Sequence, residues 1–333
     1  MATTIAMPGV VPGGVLRSPD HQRAKKSSTK PTGELNVSNV VLGKLLIKTW
    51  YPSFYPEEIV GRRTERLYVC QYCFKYSKEL IPWLAHTKVC PGKTESPPGD
   101  LIYFKNEYAI HEVDGEEHRA SKKLPRVLYT QNLSLFAKLF LETKSVFFDV
   151  ATFLYYLLIY TDPLTQEPQV VGFFSKEKLS WENNNLACII IFPPWQKRGL
   201  GQILMGVSYE LSKREGRVGG PEKPLSELGL KGYMQYWSAL LSRYLASCPA
   251  KKSITVRSIS EDTYMQSEDI TLTLKEMGIL DSSRKPGDGM VLNKAKVRAW
   301  METNKVSSKA PVDPDAFVMT EENEDEDEED QTE

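Results

Sequence analysis

Four residues stand at the spacing of a metal centre: Cys70-x2-Cys73-x12-His86-x3-Cys90. Two thiols two residues apart sit on a knuckle, and a histidine and cysteine one helical turn apart share a helix face. Together they offer four ligands in a tetrahedron, the geometry zinc prefers. The alternative, four unrelated polar core residues, has to reach this spacing by accident. The finger's helix carries Leu80, Ile81, Trp83 and Leu84. Base reading needs polar side chains there, so this apolar surface suits docking on the protein. The site reads as structural.

A second constellation is Gln196-Lys197-Arg198-Gly199-Leu200-Gly201, between an apolar run and an amphipathic helix. Glycines there let backbone N–H groups approach a pyrophosphate, and a helix N-terminus adds favourable potential. The bland reading is an ordinary helix-start loop. The longer G-x-x-x-x-G-K-[ST] pattern of nucleoside-triphosphate enzymes is not matched here.

The third is Pro221-Glu222-Lys223-Pro224-Leu225-Ser226, after Gly219-Gly220. Two prolines stiffen the loop and can hold Glu222 in one direction. A carboxylate so held can serve as a general base for a lysine, whose pKa starts at about 10.4. Glutamate starts at about 4.3, so an apolar pocket has to raise it. A loop glutamate is otherwise a solvated group or a helix cap. Cys188, inside Leu186-Ala187-Cys188-Ile189-Ile190-Ile191, reads as a core filler, a nucleophile or a thioester contact. Lys138 stands among Leu135, Phe136, Ala137, Leu139 and Phe140. It can snorkel to solvent, pair with a carboxylate, or lose its charge by acetylation.

The surrounding chain has 333 residues, 41% hydrophobic and 26% charged, enough for two or three cores. Its longest apolar run, Phe153 to Tyr160, is strand-sized, so no membrane span is expected, and the N-terminus lacks a signal-peptide pattern. Five cysteines, three of them beside a histidine, favour a reduced compartment over a disulfide framework. The net charge of −1 hides ten acidic residues in 321–333; without them 33 acidic residues face 42 basic ones, about +9. A basic body suits an anionic neighbour such as nucleic acid or a nucleotide.

Residues 1–34 read as disordered, with Arg23-Ala24-Lys25-Lys26 as a short basic cluster. Residues 35–99 form an N-terminal subdomain holding the finger at 66–92. Its stretch from Val41 to Tyr55 looks like one strand ending in a Pro-rich turn. A core over 100–248 follows. Its expected strands are 100–108, 108–113, 146–150, 153–160, 170–175 and 186–192. Helices are expected through Leu133–Phe140, from Gly201 through Leu211, and over about 225–245. In 249–304, Ser267 caps a helix that Gly278 stops, and a short hairpin and a final helix to Met301 resemble a winged-helix unit. Residues 305–333 read as a disordered acidic tail. Strands and helices in one core give a mixed α+β fold.

Together these stretches resemble the MYST acetyltransferases from about Trp50 to Ala246. The segments that carry the likeness are YVCQYCFKYSKELIPWLAHTKVCP, QNLSLFAKLFLETKSVFFDVATFLYY, VGFFSKEKLS, LACIIIFPPWQKRGLGQILMGVSYELSKREG and GGPEKPLSELGL, in family order and spacing. The short ends look most like the fungal something-about-silencing members, with no room in 1–40 for a chromodomain or bromodomain-like module. The resemblance implies a GNAT-like acetyl-CoA-binding core between the zinc finger and a winged-helix-like part. It implies acetyl transfer to a histone-tail lysine, by similarity in the basic patch of histone H4, in the nucleus and within a multi-subunit complex.

The resemblance also assigns roles. Glu222 matches the general base, and Cys188 the strand cysteine beside the acetyl group. Ile189, Ile190, Ile191 and Phe192 continue the acetyl-CoA strand. Lys197, Arg198, Gly199, Leu200, Gly201, Gln202 and Ile203 form its loop, with Ser226 a further contact. Lys138 matches an autoacetylated lysine. Three places depart from the family: Tyr129-Thr130-Gln131-Asn132 replaces a Cys-containing segment, Lys197-Arg198 reverses a frequent order, and Ile191 stands where Thr is common. Two other readings compete: a chromatin-bound subunit needing partners for activity, and a zinc-finger DNA regulator.

Overall fold

A computed structural model describes residues 2–4, 34–93, 97–116, 126–249, 253–280, 290–291 and 293–318. The basic cluster at 23–26 and the acidic run at 321–333 lie outside the described residues. The chain divides into two compact units. Unit 1 takes Met1–Pro97, Gly115–Thr152 and Ile190–Arg198; unit 2 takes Pro98–Asp114, Phe153–Ile189 and Gly199–Glu333. No helix among the described residues is long and apolar enough to cross a membrane.

Unit 1 is built on strands β1 (Ala2–Thr4), β2 (Val37–Leu42), β3 (Leu45–Lys48), β4 (Thr64–Val69) and β5 (Tyr76–Ser77), in the order β1-β3-β2-β4-β5. The single strand expected after Val41 is instead the second half of a hairpin. Leu42 pairs with Leu45, and the two-residue turn between them starts with Gly43 at φ +58°, open to glycine without penalty. Helices α1 (Glu57–Val60), α2 (Leu80–Val89) and α3 (Arg126–Lys138) complete the unit. Tyr129, Phe136 and Phe140 from and after α3 meet Phe74, Trp50 and Phe192 in an aromatic cluster, mostly edge-on, with centroids 5.0–6.0 Å apart. The end of α3 is closed by chain neighbours: Leu139 O accepts from Trp50 N and Tyr51 N, and Ser53 Oγ donates to Leu135 O at 2.7 Å. The expected strand at 146–150 does not form. There Phe147 stacks on Phe54 and the Phe148 carbonyl accepts from Gln131, so side chains take the place of a ladder.

Unit 2 holds β6 (Asp100–Lys105), β7 (Tyr108–Asp114), β8 (Phe153–Thr161) and β9 (Pro168–Glu177), consecutive and antiparallel; a further strand, β11 (Cys188–Ile191), starts in this unit and ends in unit 1. The middle of β8 is buried on both faces, which its unbroken apolar run dictates. Helix α4 (Leu200–Arg214) buries Leu200, Leu204 and Val207, and packs on α5 (Glu227–Ser247). There Trp237 Nε1 donates to Tyr209 Oη at 2.7 Å, and Tyr209 stacks on Tyr236.

The run expected as one strand over 186–192 is two. β10 (Asn184–Leu186) pairs in parallel with β12 (Gly220–Pro221), and β11 starts after Ala187. Beyond α5 come α6 (Val256–Thr263), α7 (Ser267–Glu276) and α8 (Lys294–Thr303). Ser267 is the first helical residue of α7, not its cap; Gln266 occupies that position, and Gly278 at φ +65° ends the helix as expected. The expected hairpin is a longer-range pair, β13 (Ser253–Ile254) against β14 (Met290–Val291). Residues 311–318, read as tail, instead lie against β6. Val312 fills the space that Gly206 leaves open, Lys105 pairs with Asp313 at 2.7 Å, and Arg214 covers the Phe317 ring at 4.3 Å.

Candidate functional site

In unit 1 the four metal-ligand candidates converge. One ligand atom from each of Cys70, Cys73, His86 and Cys90 lies within 4.8 Å of all the others. Cys70 follows β4, and the knuckle is closed by Phe74 N donating to Cys70 O and Cys70 N to Lys75 O, both at 2.9 Å. Phe74 is forced to φ +59° by this turn, and its ring is fully buried. His86 is on α2 and Cys90 is the residue that ends it. Sulfurs about 2.3 Å from a zinc ion stand about 3.8 Å apart in a tetrahedron. Cys70 Sγ and Cys90 Sγ are 3.8 Å apart, and Cys73 Sγ lies 3.2 Å from His86 Nε2. The donor set and its size fit zinc. On the finger helix, Trp83 is buried against Tyr68, but Ile81 is 77% exposed, so only part of the expected apolar face docks.

Also in unit 1, Ile190 and Phe192 are buried, and Phe192 is enclosed in the aromatic cluster, so only its backbone can face a ligand. Ile191 is half-buried, and its carbonyl accepts from Gln196 Nε2 at 2.7 Å. Lys197 and Arg198 are exposed, Lys197 with φ +64°. Lys138 is 7% exposed, and its Nζ donates to Leu141 O at 3.2 Å and Glu142 O at 3.0 Å. It thus holds the chain that follows α3 rather than snorkelling. Desolvation pulls its pKa below the usual lysine value, partly countered by Glu142.

In unit 2, Gly199 at φ +77° precedes α4, and no side chain caps the helix. Gln202 N bonds back to Gly199 O at 3.0 Å, and its side chain reaches Gly232 O at 3.2 Å, fixing the first turn. Leu200 is buried, while Gly201 and Ile203 are half-buried, and a Cβ at Gly201 would meet only open space. The first turn of a 15-residue helix offers N–H groups and a positive dipole end to an anion. Ser226 Oγ caps α5, accepting from Gly229 N at 3.1 Å.

The pairing of β10 with β12 decides where Glu222 stands. Its N–H donates to Leu186 O at 2.9 Å, across from the segment that runs two residues on to the half-buried Cys188. Ile189 follows, also half-buried. Glu222 directly follows β12 and Cys188 comes two residues after the end of β10, so the pairing of these two strands brings together stretches of chain 34 positions apart. The Glu222 side chain is solvent-exposed, next to the cis Lys223–Pro224 bond.

Residues 96–317 match the MOZ/SAS family, and residues 35–90 match the MYST family zinc finger domain. The chain belongs to the MYST family. It is 41% identical over 244 residues to histone acetyltransferase MOF of Drosophila melanogaster, covering 73% of this chain and 28% of that protein. It is 38% identical over 285 residues to histone acetyltransferase KAT6B of Homo sapiens, covering 85% and 13%. It is 40% identical over 245 residues to histone acetyltransferase of the MYST family 1 of Arabidopsis thaliana, covering 74% and 52%. The chain thus spans about half or less of the length of these relatives.

Within this MYST-family chain the finger cysteines and histidine are a zinc site by family, donor set and geometry. Its core is the GNAT-like α+β type that belongs to the family. Two features of the Glu222 region had no signal in the periodicity of the chain. One is the break at Ala187, where its N–H turns to Ser175 O at 2.7 Å. The other is a pair between Lys223 Nζ and the buried Asp269 at 2.7 Å.

Proposed function

We propose that this chain is a protein-lysine acetyltransferase that moves acetyl from acetyl-CoA to a histone-tail lysine. Family membership supports the reaction class, and the observation that carries the site is the Glu222 backbone bonded to Leu186, two residues before Cys188 in the chain. In this reading Glu222, through a water, takes a proton from the substrate ammonium. The free amine attacks the thioester carbonyl; the new N–C bond forms, the C–S bond breaks, and the coenzyme A thiolate leaves to be protonated. Glu222 is exposed, so the apolar cover that raises its pKa would come from bound substrate. Backbone N–H groups of 188–192 stabilise the oxyanion. The pyrophosphate is held by the loop from Lys197 through Ile203, whose residues are joined in one stretch of chain, with Ser226 a further contact.

The finer parts of the proposal rest on likeness to the family: a lysine in the basic patch of histone H4, a nuclear place on chromatin, a role in silencing or transcription, and assembly into a multi-subunit complex. Lys138 belongs here as an autoacetylation site, supported by its burial and lowered pKa. The exposed face of α2 bears Ile81 and Val89, which favours a structural finger over sequence-specific DNA reading. The test is mass spectrometry of nucleosomes incubated with acetyl-CoA and the chain, alone and with extracted partners, beside Glu222→Gln. Histone acetylation lost in the variant is expected. Near-normal turnover by Glu222→Gln removes the base assignment, and acetylation only with partners favours the dependent-subunit reading.

A further inference from the structure

The segment carrying Glu222 is held from two sides within unit 2. On one side is β10, through the strand pairing and the Glu222 N–H bond to Leu186 O. On the other side is the turn that leads into α7. Gly219 N donates to Tyr264 O at 3.0 Å, and Gly219 bridges to Met265 in parallel. Lys223 Nζ lies 2.7 Å from Asp269 Oδ1 and donates to Gln266 Oε1 at 3.3 Å. The approach is close: a Cβ at Gly220 would stand 2.9 Å from Asp269 Oδ2 and 3.0 Å from Gln266 Oε1.

Asp269 is 2% exposed, and its second oxygen has no hydrogen-bond partner. A buried carboxylate this sparsely satisfied is a poor source of stability, and an apolar residue would pack the first turn of α7 at least as well. What the carboxylate does supply is a fixed anchor for one particular cation. That cation is the residue next to Glu222.

We propose that Asp269, with Gln266, is a positioning residue: it anchors Lys223 and thereby sets the direction of the Glu222 carboxylate. The inference rests on the reading of Glu222 as the base. Glu222 and Lys223 share one peptide unit, so holding the Glu222 N–H on Leu186 O and the Lys223 side chain on Asp269 restricts the backbone from which the Glu222 side chain projects. The region after α5 acquires a task in this view, since it forms one wall of the clamp.

The experiment compares Lys223→Met, Lys223→Arg, Asp269→Asn and the Lys223→Met/Asp269→Asn double variant of the full chain, with Glu222→Gln alongside. Amide hydrogen exchange of residues 219–223 reads the clamp directly, and acetylation of a histone H4 tail peptide reads its consequence. Lys223→Met and Asp269→Asn are expected to speed exchange and to lower kcat by about tenfold to a hundredfold, the cost of misplacing a reacting group. The KM for acetyl-CoA should stay within about twofold, since the 197–203 loop is elsewhere and Ser226 is fixed by its own bond to Gly229. Lys223→Arg should keep most activity, and the double variant should be no worse than the weaker single one, because the pair acts as a unit. Lys223 is a partly exposed side chain, so its variants stay informative if Asp269→Asn fails to fold. Parent-like exchange and kcat in Lys223→Met overturn the proposal, even if Glu222→Gln is inactive. Faster exchange with normal turnover by Glu222→Gln keeps the clamp and removes the base.

Discussion

At the scale of single residues, Cys188 is where direct attack and an acyl-enzyme diverge. Its thiol is half-buried at the start of β11. If the amine attacks the thioester directly, the thiol contributes packing, and Cys188→Ala should keep kcat within about tenfold of the parent. A covalent route would lose about a thousandfold or more, as removal of a nucleophile does. Rapid-quench labelling with radioactive acetyl-CoA decides, and a label retained on the protein through Cys188 would sink the direct reading. Glu112 offers a pH test of the sheet itself. Burial raises its pKa, and the hydroxyl of Tyr156 pulls it partly back. A carboxyl whose folded pKa is raised binds its proton more tightly in the folded state. Its contribution is fully present below the unfolded value, about 4.3, and is lost as pH rises through the folded value. Glu112→Gln should therefore gain melting temperature relative to the parent on going from pH 4 to pH 7.5. An equal difference at both pH values contradicts the burial argument.

At the scale of elements, α4 shows what one glycine does for a helix start. Gly199 sits at φ +77° with nothing within 4 Å of a would-be Cβ, so space is no obstacle to alanine there. Backbone strain is: a left-handed conformation costs a residue with a Cβ about 1–2 kcal/mol. Gly199→Ala should re-aim the first-turn amides and raise the KM for acetyl-CoA several-fold, with a smaller effect on kcat; an unchanged KM would remove the loop from the cofactor site. This helix start was readable because its signals are local, a basic stretch with two glycines before an amphipathic run. The finger was readable for the same reason, since metal ligands declare themselves by spacing. The strand pair that sets Glu222 was not, because Asn184 and Gly220 are 36 positions apart and neither segment is longer than three residues. An apolar run such as Leu186 to Phe192 looks continuous although Ala187 breaks it, since periodicity records burial and not which partner strand is paired. Asp269 was invisible for a related reason. An acidic residue in the first turn of a helix is ordinarily a solvated group that favours the helix dipole, and only the fold shows that this one is buried on Lys223.

At the scale of the whole molecule, the zinc site is where a local cluster sets the integrity of a unit. The four ligands tie the knuckle after β4 to the C-terminal end of α2, and Phe74, inside the knuckle, is also a central ring of the aromatic cluster with Tyr129, Phe136 and Phe192. Loss of the metal therefore reaches past the finger into the packing of α3. Zinc binding to such a site is folding free energy, of order 10 kcal/mol in isolated fingers, because the unfolded chain holds no preformed site. Treatment with a strong chelator, or Cys73→Ser, should release one equivalent of zinc and lower the melting temperature. Amide protection should fall over residues 66–92 and 126–140. Cys248→Ser, which removes a thiol outside the cluster, is the control and should do none of this. If the chelated protein kept its protection over 126–140, the finger would be a separable attachment, and the knuckle phenylalanine would have lost the structural role assigned to it.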